Sequence, residues 1–84
     1  MAVYVDSLFT WGNQGQWCHM IADTLDELHR FAAQIGLKRS WVHISSTGIV
    51  HYDLRPSKRV LAIQRGAIPL SGQEFIARAR EIKR

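Results

Sequence analysis

The stretch Trp17-Cys18-His19-Met20-Ile21-Ala22-Asp23-Thr24-Leu25-Asp26-Glu27-Leu28 decides the fold class of this chain. Its first half alternates as a strand, with Cys18, Met20 and Ala22 on one side and Trp17, His19 and Ile21 on the other. Its second half starts a helix. Thr24 and Glu27 make a capping box, and Leu28, Phe31, Ala32 and Ile35 continue the apolar stripe begun by Leu25 until Gly36 stops it. A strand of two unlike faces that feeds an amphipathic helix specifies a layered α/β structure, with the helix covering the small apolar face.

The same split recurs outward from this stretch. Residues 2–8 read as a strand in which Val3 and Val5 oppose Tyr4 and Asp6. Residues 41–45 and 49–54 flank Ser46-Thr47-Gly48 as a hairpin, with Val42 and Ile44 opposing Trp41 and His43, and Val50, Tyr52 and Leu54 opposing His51 and Asp53. Pro56 suits the first turn of a second helix, with Val60, Leu61 and Ile63 inward and Gly66 as its stop. Ala67 to Leu70 is a short strand or link. Ser71 and Glu74 cap a third helix that turns Phe75, Ile76, Ala79 and Ile82 inward. The expected order is β-β-α-β-β-α-β-α: an α/β (α+β) fold with a small mixed sheet of four to five strands and three helices.

With 84 residues, 46% of them hydrophobic and 21% charged, the chain is an ordinary globular sequence and a single domain over 1–84. No apolar run approaches the roughly 20 residues of a membrane span, and there is no basic leader followed by an apolar stretch, so a cytoplasmic protein without membrane contact is expected. Cys18 is the only cysteine, which excludes an internal disulfide and a multi-thiolate zinc site. The small core and the aromatic richness suggest a homo-oligomer. The net charge of +4 favours an anionic ligand. Four of the eleven basic residues, Arg78, Arg80, Lys83 and Arg84, lie at the C-terminal end, where they also suit a helix dipole.

The polar parity of the strands gathers Asp6, His19, His43, His51 and Asp53 on one sheet face. Imidazole and carboxylate together can ligate Zn²⁺, Mn²⁺ or Fe²⁺, so His19, His43, His51 and Asp53 are candidate metal ligands. Without a metal, His19 or His51 could act as a general base oriented by Asp53. A second candidate is the start of the second helix, where Ser57, Lys58, Arg59 and free backbone N–H groups suit a phosphate; Lys58 and Arg59 oppose the helix dipole there, a local conflict typical of sites. Trp11, in the glycine-bearing loop 10–16, and Trp41, beside Lys38-Arg39, are placed to stack on a nucleobase, whereas Trp17 reads as packing. His29 reads as a satisfied, half-buried histidine, and Asp23 as structural.

The pattern Tyr4-Val5-Asp6, Trp17-Cys18-His19, Ala22-Asp23-Thr24, Glu27-Leu28-His29, Trp41, His51-Tyr52-Asp53 and Ser57-Lys58-Arg59 resembles a small bacterial and phage domain family of unknown function along nearly the whole chain. That resemblance supplies no activity. It adds weight to a ligand site built from His19, Asp23, His29, His51, Asp53 and Arg59. Some longer bacterial proteins with a similar domain continue into a phosphohydrolase-like domain, and phage members suggest sequestration of a host nucleotide signal. Three functional readings follow. The first is a binding module for a phosphate-bearing small molecule such as a nucleotide, with Lys58 and Arg59 on the phosphate, His19, His43, His51 and Asp53 on polar groups, and Trp11 or Trp41 on a base. The second is a metal-assisted or His-dependent phosphoesterase or nuclease on the same face. The third is nucleic-acid binding through the basic C-terminal helix.

Overall fold

The computed structural model describes residues 2–82. Its strands are β1 (Val3–Val5), β2 (Phe9–Thr10), β3 (Gln16–Ala22), β4 (His43–Ile44), β5 (Val50–Leu54) and β6 (Ile68–Pro69); its helices are α1 (Leu25–Gln34), α2 (Pro56–Gln64) and α3 (Gly72–Ile82). The mixed α+β class and the order of elements are as the sequence predicts, but six strands replace the expected four to five. The sheet runs β4-β5-β3-β1-β6, with β2 also pairing with β3. The β1–β6 pair is parallel and the other pairings are antiparallel.

Alternation along the strands decides the layers. One face carries Val3, Val5, Cys18, Met20, Ala22, Tyr52 and Leu54, and α1 and α2 close it with Leu28, Ala32, Ile35 and Ala62. On the other face α3 sets Phe75 and Ala79 against Tyr4 and Ile21. The remaining positions of that second face are those of His19, His51 and Asp53, all only half-buried. The third helix is anchored by its capping box, in which Ser71 and Glu74 exchange hydrogen bonds of 3.1 and 3.2 Å. It is also anchored by Arg78, whose guanidinium lies 5.1 Å from the centre of the Tyr4 ring.

Several local expectations are corrected. Residues 2–8 are not one strand. Val5 pairs with Met20 and Phe9 with Trp17, so the chain between β1 and β2 contains one residue more than the facing part of β3. That extra residue makes a bulge, and Asp6 sits in it. Residues 41–45 give only the two-residue β4, because Arg39–Trp41 coils as a 3-10 turn. Val60 and Ile76, expected inward, are exposed; Ala62 takes the close contact on α2 and Ala79, as expected, on α3, since a small side chain lets a helix approach the sheet. The helix α1 cap is half made: Thr24 Oγ1 accepts from the Glu27 N–H at 3.1 Å, while Glu27 Oε1 is buried with no partner among the described residues. Among the described residues, no helix is long and apolar enough to cross a membrane.

Tyr52 crosses the core to reach α1, with its hydroxyl 2.7 Å from His29 Nδ1. Burial and the nearby Arg39 hold the His29 ring below its ordinary pKa, so the folded state selects the neutral ring. A histidine depressed in this way contributes stability above its unfolded value of 6.5 that is lost as pH falls through the lower folded value. Denaturant unfolding at pH 8 and pH 5, in chelator, should therefore show His29→Gln narrowing the loss of stability that wild type suffers on acidification. Tyr52→Phe should cost about 1 kcal/mol at pH 8.

Candidate functional site

Two pairing registers build the site. Antiparallel β3 and β5 place His19 opposite Asp53, and β4 and β5 place His43 opposite His51. Because directly opposed side chains stand about 5 Å apart on one face, the four groups converge without any long-range accident of packing. His19 Nε2 lies 3.8 Å and His51 Nε2 3.5 Å from the same oxygen, Asp53 Oδ1. His43 Nε2 faces the other carboxylate oxygen, Oδ2, at 3.8 Å, and its side chain is 64% exposed. One donor atom from each of His19, His51 and Asp53 lies within 4.8 Å of the others.

The rear nitrogens of two rings are fixed. His19 Nδ1 is 2.7 Å from Asp6 Oδ2, and Asp6 Oδ1 accepts the His19 backbone N–H at 2.6 Å. The bulge is what turns Asp6 back onto β3. His51 Nδ1 is 3.1 Å from the Ile49 carbonyl, which can only accept, so Nδ1 donates there and Nε2 is the nitrogen left facing Asp53. Asp6 does the same for His19, and its hydrogen bond raises the ring's pKa above the ordinary value against the opposing pull of partial burial. Imidazoles oriented from behind by a carboxylate and a carbonyl, with Nε2 directed at a common point, are the arrangement that metal-binding histidines adopt.

A cleft of about 620 Å³ opens from this point, walled by Phe9, Trp11, Gln14, Trp17 and Ile44. Phe9 stacks on His19 with ring centres 4.8 Å apart, and Trp11, 63% exposed, meets Phe9 edge-on. The loop bearing Trp11 is tied down at Gln14, whose carbonyl accepts from Arg55 Nη1 at 2.7 Å and from Trp17 Nε1 at 3.1 Å. The Arg55 guanidinium also lies over the Trp17 ring, 4.1 Å from its centre. Gly15, at φ +84°, makes the turn, and a Cβ there would stand 2.7 Å from Arg55 Nη1.

The structure brings together only part of the predicted set. His19, His43, His51, Asp53 and Trp11 share the cleft. Ser57, Lys58 and Arg59 do not line it. Lys58 Nζ donates to the Ile35 carbonyl at the end of α1, and Arg59 Nε donates to the Asp6 carbonyl at 2.8 Å. Their conflict with the α2 dipole is thus resolved by a neighbour, since Lys58 satisfies the negative end of α1. Trp41 also lies outside the cleft and stacks beneath Lys38, whose Nζ is 5.7 Å from the ring centre. Asp23 ties Ala2 and Tyr4 together and His29 faces Tyr52, and neither lines the cleft. Burial pushes the Cys18 thiol up to about 12, which disfavours the thiolate. Of the basic C-terminal residues, Arg78 is engaged with Tyr4 and with Glu81, while Lys83 and Arg84 lie outside the described residues.

Sequence reasoning missed Phe9 and Ser45 and took Trp17 for packing, although all three line the cleft. Phe9 was hidden by the bulge, which breaks the parity count that would have placed it beside His19.

The sequence model of a family described as "Protein of unknown function (DUF4031)" matches residues 3–82. No curated protein and no solved structure matches the chain.

Lys58 separates the two uses of the α2 start. Lys58→Met, which keeps the stem and removes the ammonium, should lower stability by about 1 kcal/mol in urea unfolding. It should leave the binding of inorganic phosphate, followed by calorimetry, unchanged.

Proposed function

We propose that this chain, which belongs to the DUF4031 family, is a divalent-metal-dependent hydrolase of phosphate esters, with His19, His51 and Asp53 as the protein ligands. The observation that carries this reading is the pair of imidazole Nε2 atoms, each fixed from behind, that meet at Asp53 Oδ1. Two donor atoms bound at 2.0–2.2 Å to a tetrahedral ion must stand about 3.4 Å apart. The separations of 3.5 and 3.8 Å already approach that spacing. Two imidazoles and a carboxylate suit Zn²⁺, Mn²⁺ or Fe²⁺.

Three protein ligands would leave a metal further positions for water or substrate. A metal held there would lower the pKa of a bound water to about 7 and polarise a phosphoryl oxygen. His43 faces Asp53 Oδ2 instead of the point shared by the other rings, and its exposure suits it to pass a proton to the departing alkoxide. Phe9 and Trp11 offer a stacking surface for a base, which favours nucleotide-like esters. No Lys or Arg lines the cleft among the described residues, so a bound metal would supply the positive charge for the phosphate.

Calorimetry should show one Zn²⁺ or Mn²⁺ per chain, with binding lost in His51→Ala. Asp6→Asn should weaken metal affinity roughly 10- to 100-fold, as loss of an outer-shell partner does elsewhere. Nucleotide affinity and hydrolysis should both vanish in chelator. Nucleotide binding that survives chelator would overturn the proposal, and metal-dependent binding without turnover would leave a nucleotide-sequestering module in place of a hydrolase.

A further inference from the structure

One backbone hydrogen bond separates this site from an ordinary strand pair. In the register of β1 with β3, Asp6 follows Val5 as His19 precedes Met20. The Asp6 N–H donates to the His19 carbonyl at 3.3 Å, which is half of the reciprocal pair of bonds that facing residues exchange in an antiparallel ladder. The other half is redirected. The His19 N–H donates at 2.6 Å to Oδ1 of the Asp6 side chain in place of the Asp6 carbonyl. That carbonyl accepts at 2.8 Å from Nε of Arg59, on α2. The same guanidinium meets the Cys18 thiol on the helix-covered face, so Arg59 reaches the bulge from the side of the sheet opposite the cleft.

We propose that Arg59 is a positioning residue for the metal ligands: by claiming the Asp6 carbonyl it keeps the Asp6 carboxylate on His19. The proposal rests on the metal-hydrolase reading and adds to it a residue that controls one of its ligands from outside the cleft. Asp6 offers two acceptors to the His19 N–H, its carbonyl and its carboxylate, and they compete for that one bond. With the carbonyl held by Arg59, the carboxylate takes it, and the second carboxylate oxygen is thereby delivered to His19 Nδ1 at 2.7 Å. Without Arg59 the carbonyl loses its donor, a cost that it avoids by closing the ordinary ladder with the His19 N–H. The carboxylate is then displaced, and His19 loses the group that fixes its ring from behind. In the sequence Lys58 and Arg59 are equals at the start of α2; their acceptors tell them apart. Lys58 ties the Ile35 carbonyl at the end of α1, away from the site, whereas Arg59 ties the residue that orients a ligand.

The test titrates Zn²⁺ by calorimetry into the full chain and its variants. Arg59→Met keeps the aliphatic stem and removes the donor, and should weaken Zn²⁺ roughly tenfold, as loss of an outer-shell partner does. The direction separates positioning from charge, because removing a nearby cation would by Coulomb attraction alone strengthen the binding of a divalent ion. Arg59→Gln sets an amide donor at the place of Nε and should recover most of the affinity. Lys58→Met, which cuts the neighbouring tie of the same helix, should leave Zn²⁺ affinity unchanged. In an Asp6→Ala background, where no carboxylate remains to be positioned, Arg59→Met should have no further effect. In chelator, the backbone amide proton of His19 should resonate downfield in wild type, as a bond to a carboxylate requires, and move upfield in Arg59→Met. An Arg59→Met chain that binds Zn²⁺ as wild type does, an equal loss in the Asp6→Ala background, or a His19 amide that does not move overturns the proposal while the metal-hydrolase reading stands. A wild-type chain that binds none of Zn²⁺, Mn²⁺ and Fe²⁺ removes both.

Discussion

The antiparallel pairing of β3 with β5 is the constraint on which the rest of the molecule depends. Cys18 opposite Leu54 and Met20 opposite Tyr52 give α1 and α2 an apolar face to close, and in the same register His19 stands opposite Asp53. Core and site are therefore two sides of one alignment. A slip of β3 by one residue would turn His19 into the core and expose Cys18 and Met20, a change that burial of the apolar face forbids. The ligand geometry is thus held by the hydrophobic effect acting on the far side of the sheet, where Met20, Leu54 and Tyr52 are almost wholly buried.

A second layer of control comes from the bulge at Asp6. In a regular strand Asp6 would continue the ladder and its carboxylate would only flank His19. The extra residue between β1 and β2 lets the carboxylate fold onto β3 and take both the backbone N–H and Nδ1 of His19. Arg59, from α2, holds the carbonyl of the same residue. The bulge is braced from one face and oriented on the other, so the helix layer and the cleft are mechanically linked through one backbone unit.

The cations show how misleading charge is when separated from its surroundings. Lys58, Arg59 and Arg55 form a basic run around the start of α2, and each answers a backbone carbonyl: those of Ile35, Asp6 and Gln14. They join the end of α1, the bulge and the Trp11 loop to one helix. The run is a set of structural ties, and the wall of the aromatic cleft is left without a cationic side chain among the described residues.

The strand parities, the cap at Thr24, the Pro56 start, the glycine stops and hence the α+β class and the order of elements were legible in the sequence because each is set by residues within one turn or one strand. For the same reason His19, His43, His51 and Asp53 could be assigned to a common face before any contact was known. What the sequence did not contain was anything that depends on where a side chain ends after the layers close. The bulge at Asp6, the pairing of Phe9 with Trp17, the stacking of Phe9 on His19, and the carbonyls that claim Lys58 and Arg59 join residues 8 to 53 positions apart. Alternation is a local consequence of backbone geometry and can be counted along the chain. A long flexible cation, by contrast, takes whichever acceptor the packed structure leaves unsatisfied within its reach, and that is decided only when the helices meet the sheet.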